Sequence, residues 1–192
     1  MPTSDPVESD GTLRWSSTTM VLVRVRAEGV TGVGYSYTTA AAAELVRDKL
    51  AQVVRGAEPL AVRQVWDRMW HGVRNLGRPG VVANAIAAVD TALWDLKGKL
   101  LDLPLADLLG RVREGVPVYG SGGFTSEPSL HAALACALPG IRHLEWFWDH
   151  VRIESEWFDG VPALRDGRAV PDPGRPGLGL VPREDALARH AV

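Results

Sequence analysis

Apolar positions recur at every second residue from Met20 to Ala27, where Val21, Val23 and Val25 alternate with Leu22, Arg24 and Arg26. A period of two marks a strand with one wetter face. Glu28-Gly29 supplies a turn and Val30–Tyr37 a second strand with Gly32 and Gly34 inside it, so the pair predicts a β-hairpin. The period then lengthens. Glu44, Leu45, Val46, Leu50, Val53 and Val54 fall along a helix that Thr38 or Thr39 can cap and Gly56 stops. A second helix, starting near Leu60, aligns Val65, Trp66, Met69, Trp70 and Val73. Arg74–Gly80 is a loop in which Pro79 suits a helix start. The third helix, Val81 to Leu101, is the longest and most apolar, and its alanines (Ala83, Ala85, Ala87, Ala88, Ala92) permit close packing.

The rest is more broken. Residues 2–17 are polar and turn-rich and read as an arm or loop. A helical turn follows Pro104 and ends at Gly110, Val116–Tyr119 begins a strand, and Gly120–Gly123 interrupts it. Ser129–Leu138 is helical in pattern and stops at Pro139-Gly140. Leu144–Ile153 is aromatic and reads as extended. Asp159-Gly160 and Asp166-Gly167 signal turns, and Pro182–Ala191 closes with one short helix.

The chain has 192 residues, 46% of them hydrophobic, and a net charge of −2 with both signs interspersed. No basic face suits nucleic acid, and no apolar run approaches the ~20 residues that cross a bilayer. The first residues lack the basic start and apolar core of a signal peptide. Cys136 is the single cysteine and cannot form an internal disulfide. These features predict a soluble, cytoplasmic protein with neither nucleic-acid nor membrane partners.

The run Ala85-Ile-Ala-Ala-Val-Asp-Thr-Ala-Leu-Trp-Asp-Leu-Lys-Gly-Lys-Leu-Leu-Asp-Leu-Pro-Leu-Ala-Asp-Leu-Leu-Gly110 closely resembles the signature of the mandelate racemase/muconate lactonizing group of the enolase superfamily. The hairpin Val21–Tyr37 resembles the first part of that group's capping sheet, and Val116–Phe124 its entry into the first barrel strand. Pro128–Pro139 and Arg142–Phe147 resemble the last barrel helix and the run back to the cap, and Pro176-Gly-Leu-Gly179 the terminal turn.

The resemblance implies an α+β fold: a capping domain of antiparallel hairpin and helix bundle over residues 1–118, the start of a barrel and a junction at 119–126, and a C-terminal remnant at 127–192 that returns to the cap. No closed barrel is expected. An eight-stranded barrel takes roughly 200 or more residues, and far fewer follow Tyr119. The strand that relatives place before the Pro2–Trp15 loop is also expected to be missing.

The resemblance further implies proton abstraction next to a carboxylate, with magnesium stabilising the developing enolate. Relatives bring a Lys-x-Lys pair, three acidic ligands and a His-containing base together from separate barrel strands. Lys97-Gly-Lys99 does not supply the pair, because positions two apart on a helix diverge by about 200°. Asp90 and Asp95 diverge likewise and read as capping or tethering carboxylates. His143, Glu145 and Asp149 alternate on the extended run, which would put a metal-ligating set on one face. The alternative, hydrogen bonding within the cap, is favoured, so no metal site is expected. His131 reads as a structural histidine and Cys136 as core filler. Arg74, Asn75 and Arg78, with Asp5–Trp15, occupy the loops that in relatives choose the substrate. Their guanidinium groups suit carboxylates, but without a barrel beneath they are expected to be vestigial.

No catalytic residue and no cofactor are therefore expected for this chain, with magnesium confined to full-length relatives. Three functions follow: a shortened, inactive racemase or sugar-acid dehydratase; a capping module that associates with itself or a full-length homologue; and an enzyme completed by a partner chain.

Overall fold

The structure is a computed structural model, and it describes residues 1–4, 7–9, 11–121 and 127–191. Two compact units emerge, one of Thr19–Asp102 and one of Met1–Thr18 with Leu103–Val192. This division departs from the sequence boundary at residue 118, because the first residues and the segment after Leu103 pack with the C-terminal part.

Within residues 1–18, β1 (Glu8–Ser9) pairs antiparallel with β2 (Arg14–Trp15). The arm expected to be a loop is thus a small hairpin in part. Short paired strands with few apolar residues leave no periodic signal.

In the Thr19–Asp102 unit, β3 (Met20–Ala27) and β4 (Val30–Tyr37) form the expected hairpin in full register from Met20↔Tyr37 to Ala27↔Val30. Glu28 and Gly29 have φ of 50° and 76°, the two positive values that a type I′ hairpin turn requires. The first helix runs as α1 (Ala41–Leu45), one π-helical turn (Val46–Leu50) and α2 (Ala51–Val54), and ends at Gly56 with φ of 72°. Its N-cap is Ala40 without a side-chain cap. The hydroxyl of Thr38 instead accepts a hydrogen bond from Asn84 Nδ2 at 3.2 Å. α3 (Val62–Gly72) and α4 (Val81–Leu100) complete the unit. Val21 and Val23 from β3, Val65 and Met69 from α3, and Ile86, Val89 and Leu93 from α4 make its core.

α4 lies so close to β4 that side chains do not fit between the backbones. A Cβ at Gly32 would stand 2.6 Å from the Leu96 Cβ, and one at Gly34 would stand 2.9 Å from the Ala92 Cα. Asp95 fastens the same contact. Its Oδ2 accepts the Val33 N–H at 2.7 Å and the Lys99 ammonium at 2.6 Å, and Lys99 also reaches the Thr31 carbonyl at 3.2 Å.

The other unit begins with α5 (Leu105–Leu108), tied to the Pro176–Gly179 turn by Leu105 N–H to the Gly177 carbonyl at 2.7 Å. β5 (Val116–Ser121), α6 (Pro128–Ala137) and β6 (Leu144–Phe147) follow, then α7 (Trp148–Trp157). β7 (Phe158–Asp159), β8 (Ala163–Arg165), β9 (Arg168–Val170), β10 (Val181–Pro182) and α8 (Glu184–Ala188) close the chain. A four-stranded sheet has the order β6-β5-β9-β8, with β5 and β6 parallel and the remaining pairs antiparallel. α6 connects the parallel pair and packs Ala132 and Ala135 with Val116 and Trp146. Arg113 donates to the carbonyls of Ala135, Pro139 and Ile141, satisfying acceptors at the end of α6.

The extended reading of Leu144–Ile153 holds only as far as Phe147. From Trp148 the chain is helical, with Asp149, His150, Ile153, Glu154 and Trp157 buried. That spacing is helical, but three of the five inward positions are ionisable, which hides the period from a hydrophobicity reading.

Candidate functional site

The structure does not gather His143, Glu145 and Asp149 into a metal set. His143 precedes β6 and is exposed, Glu145 lies in β6 opposite Tyr119, and Asp149 sits in the first turn of α7. The alternation ends where the strand becomes a helix. Asp149 instead accepts from the backbone N–H of Ser4 at 3.2 Å, from the Ser4 hydroxyl, and from Arg152 Nε at 3.0 Å. Burial works to raise its pKa, but the Ser4 and Arg152 donors outweigh that and hold the carboxyl below its ordinary value. Arg152 also reaches the Pro2 carbonyl at 2.9 Å, so Asp149 and Arg152 fasten the first residues to α7.

The loop candidates after α3 fare differently from one another. Arg78 donates to the Trp70 carbonyl at 3.1 Å and lays its guanidinium 4.7 Å from the centre of the Trp70 ring. Arg74 and Asn75 are exposed. Asp5 and Asp10, in the other expected loop, lie outside the described residues. Lys97 and Lys99 diverge as helix geometry requires: Lys97 donates to the Leu60 carbonyl at 3.0 Å, while Lys99 turns to Asp95.

Sequence reasoning missed Glu154. It is fully buried on α7, and its Oε1 lies 3.4 Å from the Ser129 backbone nitrogen at the start of α6. Desolvation pushes its pKa up to about 8, against a small lowering by that N–H. His150, one turn earlier, is equally buried, and burial lowers the pKa of His131 on α6. At neutral pH Glu154 is therefore held uncharged. A burial signal from the helical spacing of Ile153 and Trp157 could have found it.

Magnesium takes about six oxygen ligands in octahedral order. Among the described residues no three His, Cys, Asp or Glu side chains are grouped to hold a metal ion, and Asp149 already spends its oxygens on Ser4 and Arg152. The donors of the described residues do not fit that ion.

A hairpin under a long alanine-rich helix, with two further helices beside it, defines an α+β capping module. The sequence profile of the mandelate racemase/muconate lactonizing enzyme N-terminal domain matches residues 3–110. The chain belongs to that family. It is 40% identical over 108 residues to the 3,6-anhydro-alpha-L-galactonate cycloisomerase of Streptomyces coelicolor, a match covering 54% of this chain and 30% of that protein. It is 33% identical over 114 residues to the L-talarate/galactarate dehydratase of Salmonella typhimurium, covering 57% of this chain and 29% of that one. The matched segment thus spans under a third of these relatives. The solved structure of a mandelate racemase/muconate lactonizing enzyme-like protein from Rubrobacter xylanophilus superposes with a TM-score of 0.93 and 27% identity, over 98% of this chain and 96% of that one. The Salmonella dehydratase, solved with magnesium and L-lyxarohydroxamate, superposes with a TM-score of 0.80 over 97% and 89%. Identity across that longer alignment is 16%, so beyond the N-terminal domain it speaks for fold alone. No described helix is long and apolar enough to cross a membrane.

Proposed function

We propose that this chain is an internally shortened member of its family that does not abstract the proton beside a carboxylate on its own. The sheet around β5 carries the reading. It holds one parallel pair, β5 with β6, flanked by an antiparallel hairpin, whereas enolate chemistry on a bound metal needs oxygen ligands from several converging strands. The Salmonella dehydratase supports shortening in the middle. Since 114 residues make up 29% of it, a chain of 192 residues can fill at most about half. The superposition nevertheless reaches across 89% of the solved dehydratase, which requires a skipped stretch inside the alignment.

The test is exchange of the α-proton in heavy water, followed by proton NMR on a panel of acid sugars including galactarate, with magnesium present. Exchange no faster than in the protein-free control is expected. Magnesium-dependent exchange that a chelator abolishes overturns the proposal.

A second reading, association with itself or a full-length homologue, rests on β6. It is an edge strand of the sheet, the Trp148 that follows it is 67% exposed, and Tyr119 on the neighbouring strand is 52% exposed. Open edges beside exposed rings are templates for pairing. A defined dimer or mixed complex in light scattering supports this reading, and a monomer that ignores the homologue removes it.

A further inference from the structure

Between α3 and α4 lies an open cleft of about 380 Å³ lined by Arg63, Trp66, Asp67, Asp90 and Trp94. Helix geometry assembles it. Arg63, Trp66 and Asp67 share one turn of α3, and Asp90 and Trp94 stand four apart on α4, so each set presents one face.

The sequence reading grouped Asp90 with Asp95 as tethering carboxylates, and the structure separates them. Asp95 fastens β4 and Lys99. The Asp90 carboxylate makes no hydrogen bond or ion pair to any described residue, although its surroundings are dry enough to push its pKa up to about 6. The other charges around it are engaged or distributed. Asp67 meets His71 Nδ1 at 3.3 Å, and Lys97 lies 5.2 Å from the centre of the Trp94 ring while donating to Leu60. Burial is the one influence acting on the Asp90 carboxyl, and no neighbouring cation opposes it. Trp66, 37% exposed, is held from behind by stacking on Trp70 at 5.3 Å between ring centres.

A half-buried carboxylate without a partner costs desolvation energy that nothing in the unit returns. Indole faces attract weakly hydrated cations, most strongly where water is displaced. A divalent metal would need more oxygens than one aspartate offers. Neutral hydroxyls would leave the charge uncompensated. We infer that this cleft binds a small organic cation of the quaternary ammonium or guanidinium class, with Asp90 as its counter-ion and Trp66 and Trp94 as aromatic walls.

The test follows fluorotryptophan-labelled protein by fluorine NMR, titrated with choline, with methylguanidinium, and with the uncharged choline isostere in which carbon replaces nitrogen. Saturable shifts of the Trp66 and Trp94 signals are expected for a cation. Affinity should be at least about tenfold lower for the isostere and in Asp90→Asn. Binding should fade as pH falls below about 6, where Asp90 becomes protonated. Should Asp90→Asn fail to fold, Trp66→Leu at the exposed wall must weaken choline binding with the circular dichroism spectrum unchanged. No saturable shift with either cation, equal binding of the isostere, or full affinity in the variant that folds overturns the assignment.

Discussion

Asp95 and Glu154 are both fully buried carboxylates, and their partners give them opposite consequences. Asp95 receives a backbone N–H and an ammonium, so Asp95→Ala strands the buried Val33 N–H and removes the counter-ion of Lys99, which keeps only the Thr31 carbonyl. A loss of about 3 kcal/mol in urea denaturation is expected. Glu154 receives the Ser129 N–H at a long 3.4 Å and is held protonated, with its pKa raised from 4.5 to about 8. The unfolded chain releases that proton near its ordinary value, whereas the folded chain keeps it. Between pH 4.5 and about 8 the folded state therefore binds more protons, and its stability falls as pH rises, by up to about 1.4 kcal/mol per unit. Glu154→Gln, which mimics the neutral acid, should flatten this decline and stabilise the protein at pH 8. Parallel thermal melts at several pH values check it, and an identical slope in the variant refutes it. The tethering role of Asp95 was among the sequence readings, whereas the role of Glu154 was not legible beforehand. Asp90 and Asp95 occupy similar positions in one helical signature, yet only one has a backbone donor within reach, and that donor sits on a strand far along the chain.

Among elements, the β4–α4 contact is the tightest constraint. Gly32 and Gly34 could be placed in a strand from the sequence, but their purpose is visible only where α4 lies on them. Gly34→Ala should cost about 2–3 kcal/mol, because backbone on the opposing side cannot yield as a side chain can. Gly72→Ala, in the last turn of α3 with open space around it, should be neutral or stabilise by roughly 0.5–1 kcal/mol. Equal losses in chemical denaturation of the two variants would contradict the packing argument. The hairpin, its Glu28-Gly29 turn, α3 and α4 were all legible, because each announces itself through local periodicity and turn chemistry. α7 was not. Its inward face carries Asp149, His150 and Glu154, and a hydrophobicity pattern cannot register a helix that buries charge-bearing groups.

For the molecule as a whole, the absence of a grouped acidic donor set among the described residues has a thermodynamic consequence. A ligand that binds only the folded state raises its melting temperature. Magnesium should therefore leave the melting temperature of this chain unchanged at concentrations well above those that saturate a typical enzyme site. A rise reversed by a chelator would show that a metal site exists after all. The same scale separates family from activity. Residues 3–110 carry the family's N-terminal domain, while the relatives that share it are far longer, and their dehydratase or cycloisomerase chemistry belongs to them as whole proteins.

The sequence by itself determined the family, the hairpin, the main helices and the glycine-marked turns, since all of these rest on residues near one another in the chain. Tertiary structure alone decided three things: that β5 pairs with β6, that Asp149 fastens the first residues to α7, and that the Asp90 carboxylate faces a cleft with no partner among the described residues. Each depends on which distant groups share a dry environment, and desolvation acts on positions in space, which local patterning does not encode.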